Sequence, residues 1–170
     1  MQRFIHLLLP CVLTTLCAGI AQASDEDSRA RARLSGFQEV LPLSTTGSGK
    51  FEATLSPSSF TYELSYSGLD GSVAQSHIHF GQKGVNGGIS VFLCSNLGNG
   101  PAGTQACPTP GGTISGTVTA ANVIGPTGQN ISAGQFDALI RAMRSGTTYA
   151  NVHSTKFPGG EIRGQIKADD

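Results

Sequence analysis

Residues 50–67 have the sequence KFEATLSPSSFTYELSYS, and this stretch decides the fold. Phe51, Ala53 and Leu55 alternate with charged or polar residues, and the same period of two continues through the second half of the stretch. A period of two indicates β-strands that bury one face. The serines and Pro57 between the two halves are typical of a short turn, so the stretch predicts a β-hairpin.

Beyond this hairpin, short alternating segments separated by glycine-rich stretches occupy most of the remaining sequence. Many short strands at such spacing favour an all-β fold, which we expect to be an antiparallel, Greek-key-like β-sandwich or barrel. The additional strands are predicted at residues 34–41, 73–80, 88–93, 112–120, 147–154 and 161–167.

One helix is predicted between residues 132 and 146. Ser132 and Gln135 have the spacing of a capping box, and Gly146 provides a C-terminal stop. An apolar stripe follows the box at positions i, i+3, i+4 and i+7. We expect this short helix to cover one open end of the sandwich. Its stripe toward the core consists of Phe136, Leu139, Ile140 and Met143.

The N-terminal segment has the features of a secretory signal peptide. A positive charge precedes a short, interrupted apolar run that ends in a small-x-small site at residues 21–23, so residues 1–23 are predicted to be removed on export. Residues 24–31 are polar and charged and are predicted to form a flexible arm. Residues 32–168 are predicted to form a single domain.

The charge balance argues against two classes of partner. The chain has 11 Lys and Arg residues against 11 Asp and Glu residues, so it lacks a basic field for nucleic acid or for an anionic membrane. No apolar run after the predicted signal peptide is long enough to span a bilayer. We expect a periplasmic or secreted protein with no nucleic-acid partner and no membrane span after cleavage.

Two cysteines, Cys94 and Cys107, follow the predicted signal peptide. An even pair in an oxidising compartment favours a disulfide. This disulfide would close a loop of about 14 residues and contribute about 3 kcal/mol in the chain-entropy description. The alternative is a pair of metal-binding thiolates, which the absence of a Cys-x-x-Cys spacing disfavours.

All histidines that follow the predicted signal peptide lie in two predicted strands, His77 and His79 in one and His153 in the other. Side chains at positions i and i+2 share one face of a strand. Because Ile78 and Val152 are expected to point into the core, the three imidazoles are expected to point outward together. Two imidazoles from one strand and a third from a neighbouring strand can bind one metal ion.

Three further polar residues are predicted on this outer face. Asn151, Glu161 and Arg163 are candidates for a supporting role around a metal, in which they orient an imidazole from behind. Glu161 and Arg163 alternate on one strand, so they can also pair with each other or with neighbours across the sheet. An acid–base site of His153 with Glu161, and a purely structural hydrogen-bonded histidine cluster, are the remaining interpretations.

Signatures of other chemistry are missing from the sequence. Residues 47–51 lack the first glycine and the final Ser or Thr of a phosphate-binding loop, and no helix is predicted after the glycine-rich residues 81–88. No Gly-x-Ser-x-Gly elbow is present. We therefore expect no nucleotide or organic cofactor, and we assign no catalytic residue.

Five motifs are spread along the chain: LSGFQEV at 34–40, GL at 68–69, HIHFG at 77–81, NVH at 151–153 and PGGEIRG at 158–164. Together they resemble the CHRD domain, the chordin-repeat family, over about residues 32–168. The family is named for repeats in chordin, an extracellular binder of growth factors, and in bacteria such domains occur alone in exported proteins. The resemblance therefore implies an extracellular or periplasmic module, and it makes an extracellular protein one candidate partner.

A more distant resemblance is to copper/zinc superoxide dismutase, a Greek-key β-barrel whose copper is bound by a His-x-His strand and a Val-His strand. His77, His79 and His153 match those three ligands. No fourth histidine follows the predicted signal peptide to bridge copper to zinc. The resemblance therefore implies a single copper or zinc site and gives little support to dismutase activity.

Three functions remain in view. The first is a non-enzymatic binding module outside the cytoplasm that binds a copper or zinc ion through the three histidines. The second is a copper-dependent redox or superoxide dismutase-like enzyme. The third is a domain that binds a protein partner and in which the histidines are structural. The missing bridging histidine favours the binding module over the enzyme.

Overall fold

A computed structural model describes residues 27–169 of the chain, so the predicted signal peptide, residues 1–23, lies outside the described residues. The described part contains strands, three short 3₁₀ turns and an α-helix. The strands are β1 (Ser28–Ser35), β2 (Ser48–Leu55), β3 (Ser59–Ser67), β4 (Val73–Phe80), β5 (Gly88–Ser95), β6 (Gly112–Thr119), β7 (Thr148–Ser154), β8 (Ile162–Gln165) and β9 (Lys167–Ala168), and the helix is α1 (Phe136–Arg144).

The strands form one antiparallel sheet in the order β5-β4-β7-β8-β1-β2-β3-β6, with β9 paired to β1. The side chain of Gln105 bridges the two end strands. Its Nε2 donates to Leu93 O of β5 at 3.2 Å and to Ser115 O of β6 at 3.1 Å. The sheet thus curves into a nearly closed barrel, in which β3, β6, β5 and β4 have the spatial order of a Greek key. The predicted all-β, antiparallel fold is confirmed.

The hairpin predicted from residues 50–67 is present as β2 and β3, which pair in register along their whole length. Phe51, Leu55 and Leu64 are fully buried on its inner face, and the alternate residues are mostly exposed. Burying each such side chain contributes about 1.5–3 kcal/mol, so this face supplies a large part of the hydrophobic core.

Strand β1 begins at Ser28, earlier than the sequence predicts. The last four residues of the predicted arm at 24–31 form its first half, and the first three lie outside the described residues. Ala30 and Ala32 are buried, whereas the arginines that alternate with them are exposed. The pattern is the same period of two, but small alanines make its buried face inconspicuous. β1 also ends earlier than predicted, at Ser35, where a 3₁₀ turn follows.

Helix α1 begins immediately after Gln135. The Gln135 Oε1 atom accepts a hydrogen bond from the Ser132 backbone N–H at 2.7 Å, which is half of the predicted capping box. All four residues of the predicted apolar stripe are buried, and Phe136 stacks on Phe60 of β3 with ring centroids 6.2 Å apart. Gly146 follows the helix with a φ of 68°, a left-handed conformation that ends many helices.

The central strands β4 and β7 are buried on both faces. One face packs into the hydrophobic core, where Ile78 and Val152 are fully buried. The other face carries polar side chains beneath a cover of loops, and this arrangement positions the candidate site. Among the described residues, no helix has the length and hydrophobicity that a membrane crossing requires.

Candidate metal centre

Strand pairing brings the three histidines together. β4 and β7 are antiparallel, with Gln75 opposite His153 and His77 opposite Asn151. His153 is therefore a diagonal neighbour of His77 on the same face, within reach of long or aromatic side chains. One ring nitrogen from each of His77, His79 and His153 lies within 4.8 Å of the other two. The histidines singled out in the sequence thus form one cluster.

The cluster is buried, whereas the sequence predicts imidazoles that point outward. His77 is 0% exposed, His79 is 7% exposed and His153 is 6% exposed. Their rings lie on the face away from the hydrophobic core, but two loops cover that face: residues 81–87 after β4 and residues 155–161 after β7. Strand alternation predicts on which face of the sheet a side chain lies, but it does not predict which loops cover that face.

Hydrogen bonds to these loops orient two of the imidazoles. The His79 Nδ1 atom lies 3.0 Å from Gly87 O, and the His153 Nδ1 atom lies 3.0 Å from Pro158 O. A carbonyl oxygen only accepts, so each Nδ1 carries the proton and each Nε2 presents a lone pair. The loop carbonyls therefore fix both rings in the tautomer that binds a metal through Nε2.

His77 contacts both other rings and is the least exposed of the three. Its Nδ1 atom lies 3.1 Å from the Nε2 atom of His153. Two nitrogens bound to one ion at about 2.0–2.1 Å with a tetrahedral angle lie about 3.3 Å apart, so this spacing suits two ligands of one metal. The same distance suits a hydrogen bond from His77 Nδ1–H to His153 Nε2 when no metal is bound.

Burial favours the neutral form of all three rings. Loss of solvation lowers the pKa of His77 to about 2 and the pKa of His79 to about 4, and it also lowers the pKa of His153. The neighbouring imidazoles lower the pKa of His77 further. Because the neutral imidazole is the form that binds a metal, protons compete weakly with a metal over the ordinary pH range.

Aromatic rings pack against the imidazoles. Phe92 of β5 lies edge-on to His77, with ring centroids 4.3 Å apart. Tyr149 of β7 stacks flat on His79, and its hydroxyl accepts a hydrogen bond from the Gly87 N–H at 3.2 Å. The imidazoles are therefore held by packing as well as by hydrogen bonds.

Arg163 adds a third layer to this stack. Its guanidinium carbon lies 3.9 Å from the centroid of the Tyr149 ring, and β7 lies between β4 and β8, so Arg163 covers the side of Tyr149 opposite His79. Arg163 is 2% exposed and donates to Asn86 Oδ1 at 3.1 Å and to Val85 O at 3.0 Å. The structure thus places it behind Tyr149, where it also holds the loop after β4, and not against an imidazole.

Asn151 lies on the face of the cluster, as the sequence predicts, but its amide contacts other groups. The Nδ2 atom donates to Glu39 Oε1 and to Ile162 O, both at 2.8 Å. Burial raises the pKa of Glu39, against the opposing effects of the Asn151 hydrogen bond and the Arg163 charge. Asn151 therefore ties the segment after β1 to the sheet beside the cluster.

Glu161 is fully buried, whereas the sequence predicts it on the outer face beside the histidines. Its Oε1 atom accepts hydrogen bonds from Thr45 Oγ1 at 2.8 Å and from the Asp70 backbone N–H at 2.6 Å. β8 begins at Ile162, so the alternation used to predict the direction of Glu161 does not extend to it. Within residues 27–169 its carboxylate makes no hydrogen bond to His153, so the acid–base pair is not formed.

Four contacts of the cluster are not singled out by the sequence. Tyr149 has the same strand parity as Asn151 and His153, so alternation offered a signal for it. Phe92 and the two loop carbonyls offered none, because a β-bulge shifts the β4–β5 register beside His77 and because any residue has a backbone carbonyl.

Cys94 and Cys107 form a disulfide with an S–S distance of 2.04 Å, as predicted. It ties the end of β5 to the segment that carries Gln105. A structural disulfide fits an oxidising compartment outside the cytoplasm.

A known protein family accounts for most of the chain. The family model of the CHRD domain matches residues 30–166, which include the histidine cluster, the disulfide and all strands from β2 to β8. CHRD domains are typically extracellular or periplasmic. No curated protein and no solved structure matches the chain significantly. The extent of the family match shows that the chain belongs to the CHRD domain family.

Proposed function

We propose that the chain is an exported, non-enzymatic binding module that binds one copper or zinc ion through His77, His79 and His153. CHRD membership and the disulfide support a location outside the cytoplasm, because structural disulfides persist in oxidising compartments. The signal-peptide features of residues 1–23 support export by the same reasoning.

The unpaired imidazole nitrogens carry the proposal. Within the described residues, the Nε2 atoms of His77 and His79 are buried without a hydrogen-bond partner. Leaving a buried polar atom unpaired costs about 1–3 kcal/mol. An ion bound by the three rings would give His79 Nε2 the partner that it lacks, and bonds to the ion would replace the contact between His77 Nδ1 and His153 Nε2. Imidazole nitrogens suit copper and zinc, so the residues present fit such an ion.

Titration of protein without a histidine tag, with zinc(II) and with copper(II), tests this function. We expect a one-to-one complex of micromolar or tighter affinity and a Tm that rises with metal concentration. The variant His79→Gln with His153→Gln should lose both effects. Ser90→Ala is the matched control, because it removes another buried and unpaired polar atom and should leave binding intact. Failure of zinc(II) and of copper in both oxidation states, or unchanged binding in the double variant, would disprove the proposal.

A domain that binds a protein partner and has a structural histidine cluster is the second candidate. The 3.1 Å contact between His77 Nδ1 and His153 Nε2 favours it, because this distance also suits a direct hydrogen bond between the rings. Nitrogen-15 NMR of the imidazoles separates the two functions. A structural cluster keeps its nitrogen shifts when zinc is added, whereas a metal centre changes the shifts of all three rings.

A further inference from the structure

We propose that the histidine cluster selects monovalent copper, Cu(I), over divalent zinc and copper, an inference that rests on the metal-binding function proposed above. Three features of the site carry it. The groups behind the imidazoles are uncharged, a guanidinium is buried in the same stack, and the described residues offer three nitrogen ligands without a fourth.

The groups behind two of the imidazoles are peptide carbonyls. His79 Nδ1 faces Gly87 O, and His153 Nδ1 faces Pro158 O. Sites that hold a divalent ion through neutral imidazoles often place carboxylates there, and these offset the charge of the ion. A carbonyl is a dipole without net charge, so this site offers less compensation for the second unit of charge on a divalent ion.

The carboxylates near this face hydrogen-bond groups other than the imidazoles, and the Glu161 Oε2 atom has no hydrogen-bond partner among the described residues. Glu39 accepts a hydrogen bond from the Asn151 amide, and Glu161 accepts hydrogen bonds from the Thr45 hydroxyl and the Asp70 backbone N–H. Neither carboxylate makes a hydrogen bond to an imidazole within residues 27–169. The ion would therefore have neutral ligands, and neutral groups would hold those ligands.

A full positive charge is buried in the stack that supports His79. The guanidinium of Arg163 packs on Tyr149, whose other side packs on His79. Repulsion between this guanidinium and a bound ion is twice as large for a divalent ion as for a monovalent one. The solvation that an ion loses on burial grows with the square of its charge, and the imidazoles are at most 7% exposed. Both effects disfavour divalent ions.

The number of ligands also favours Cu(I). Among the described residues, the group of His, Cys, Asp and Glu side chains that can hold a metal consists of His77, His79 and His153. Three ligands are a complete set for Cu(I), whereas zinc(II) takes a fourth ligand, which is a water molecule where the protein supplies three. A fourth ligand would have to be a water molecule beside imidazoles that are at most 7% exposed.

Competition titrations on the full chain without a histidine tag measure this selectivity. Bicinchoninate competes for Cu(I) under anaerobic, reducing conditions, and a chromophoric chelator competes for zinc(II). Silver(I) serves as a monovalent probe that does not change its oxidation state. We expect Cu(I) and silver(I) to bind more tightly than zinc(II) does.

Two substitutions with opposite expected effects on the ratio of Cu(I) to zinc(II) affinity test whether buried charge causes the selectivity. Arg163→Gln removes the buried positive charge and should lower the ratio of Cu(I) to zinc(II) affinity by about tenfold. Glu39→Gln removes a nearby negative charge and should raise the ratio. If Arg163→Gln does not fold, the ratio measured for Glu39→Gln alone tests the inference. Arg141→Gln, on the exposed face of α1, is the control and should leave the ratio unchanged.

The outcomes separate this inference from the function on which it rests. Tighter Cu(I) binding, with the ratio shifted in opposite directions by the two substitutions, supports it. Zinc(II) binding as tight as Cu(I) binding, or a ratio that neither substitution changes, would overturn the selectivity and leave metal binding standing. Absence of binding by Cu(I), silver(I) and zinc(II) would overturn both.

Discussion

The ring of Tyr149 lies parallel to the ring of His79, with an angle of 2° between their planes and 4.8 Å between their centroids. On its other side Tyr149 contacts the guanidinium of Arg163, and its hydroxyl bonds the backbone of Gly87. One side chain therefore links the histidine cluster, strand β8 and the loop after β4. Several effects of substitution follow from this position.

Tyr149→Ala should destabilise the protein far more than Tyr149→Phe. The alanine variant loses the stack on His79 and the contact with Arg163, at a cost of about 3–5 kcal/mol. The phenylalanine variant keeps both and loses one hydrogen bond from Gly87, at a cost of about 1 kcal/mol. Urea unfolding of the three proteins measures these differences. Equal losses in the two variants would mean that the hydroxyl, and not the stack, is what matters.

The metal-free protein should lose stability as the pH falls below about 6.5. In the unfolded chain an imidazole titrates near its ordinary pKa of 6.5, whereas burial lowers the pKa of His77 to about 2 and the pKa of His79 to about 4. Between these values the unfolded state binds more protons. The free energy of unfolding therefore falls by up to about 1.4 kcal/mol per pH unit for each ring that stays neutral in the folded state.

Urea unfolding at a series of pH values, after removal of metal with a chelator, measures this slope. The variant His77→Asn with His79→Asn serves as the comparison, since its remaining pH dependence comes from other groups. A slope as steep in the variant as in the unmodified protein would show that carboxylates, and not the buried imidazoles, cause the loss.

Reduction of the disulfide should lower the free energy of unfolding by about 3 kcal/mol. Cys94 and Cys107 are 13 residues apart in sequence, and opening a loop of this size restores that much chain entropy to the unfolded state. Unfolding with and without a phosphine reductant measures the change. The variant Cys94→Ala with Cys107→Ala should not respond to the reductant, and a response there would point to another cause.

Gln105→Ala should loosen the junction between the two end strands of the sheet. The amide of Gln105 bonds Leu93 O of β5 and Ser115 O of β6, and its loss should cost about 1 kcal/mol. Amide hydrogen exchange should rise in β5 and β6 and stay unchanged in β2. The exposed Gln82→Ala is the control. Uniform exchange changes across the sheet would contradict a local role for Gln105.

Alternation predicted the fold wherever the buried residues are large. Phe51, Leu55 and Leu64 mark the inner face of the first hairpin, and the structure has that hairpin in the predicted place. Alternation failed in the first half of β1, which the sequence predicts to be part of a flexible arm, although Ala30 is buried between exposed arginines. A small side chain contributes little area, so its burial depends on the neighbouring strands and not on its own hydrophobicity.

Strand alternation also predicted part of the candidate site. The period of two placed His77, His79 and His153 on one face, and strand pairing brings them together. Their burial was not predictable, because it depends on where the loops after β4 and β7 lie. Strand alternation does not apply to Glu161, because this residue precedes the first residue of β8. Its carboxylate hydrogen-bonds Thr45 and the backbone of Asp70 and does not face the histidines.

The loop carbonyls that orient the imidazoles have a consequence for kinetics. Gly87 O and Pro158 O belong to the two segments that close over the rings, so an ion can enter or leave only while a segment swings aside. The frequency of this opening, and not the strength of the nitrogen bonds alone, would then set the residence time of the ion. A loaded molecule should therefore resist dilution and chelators for longer than its equilibrium affinity implies.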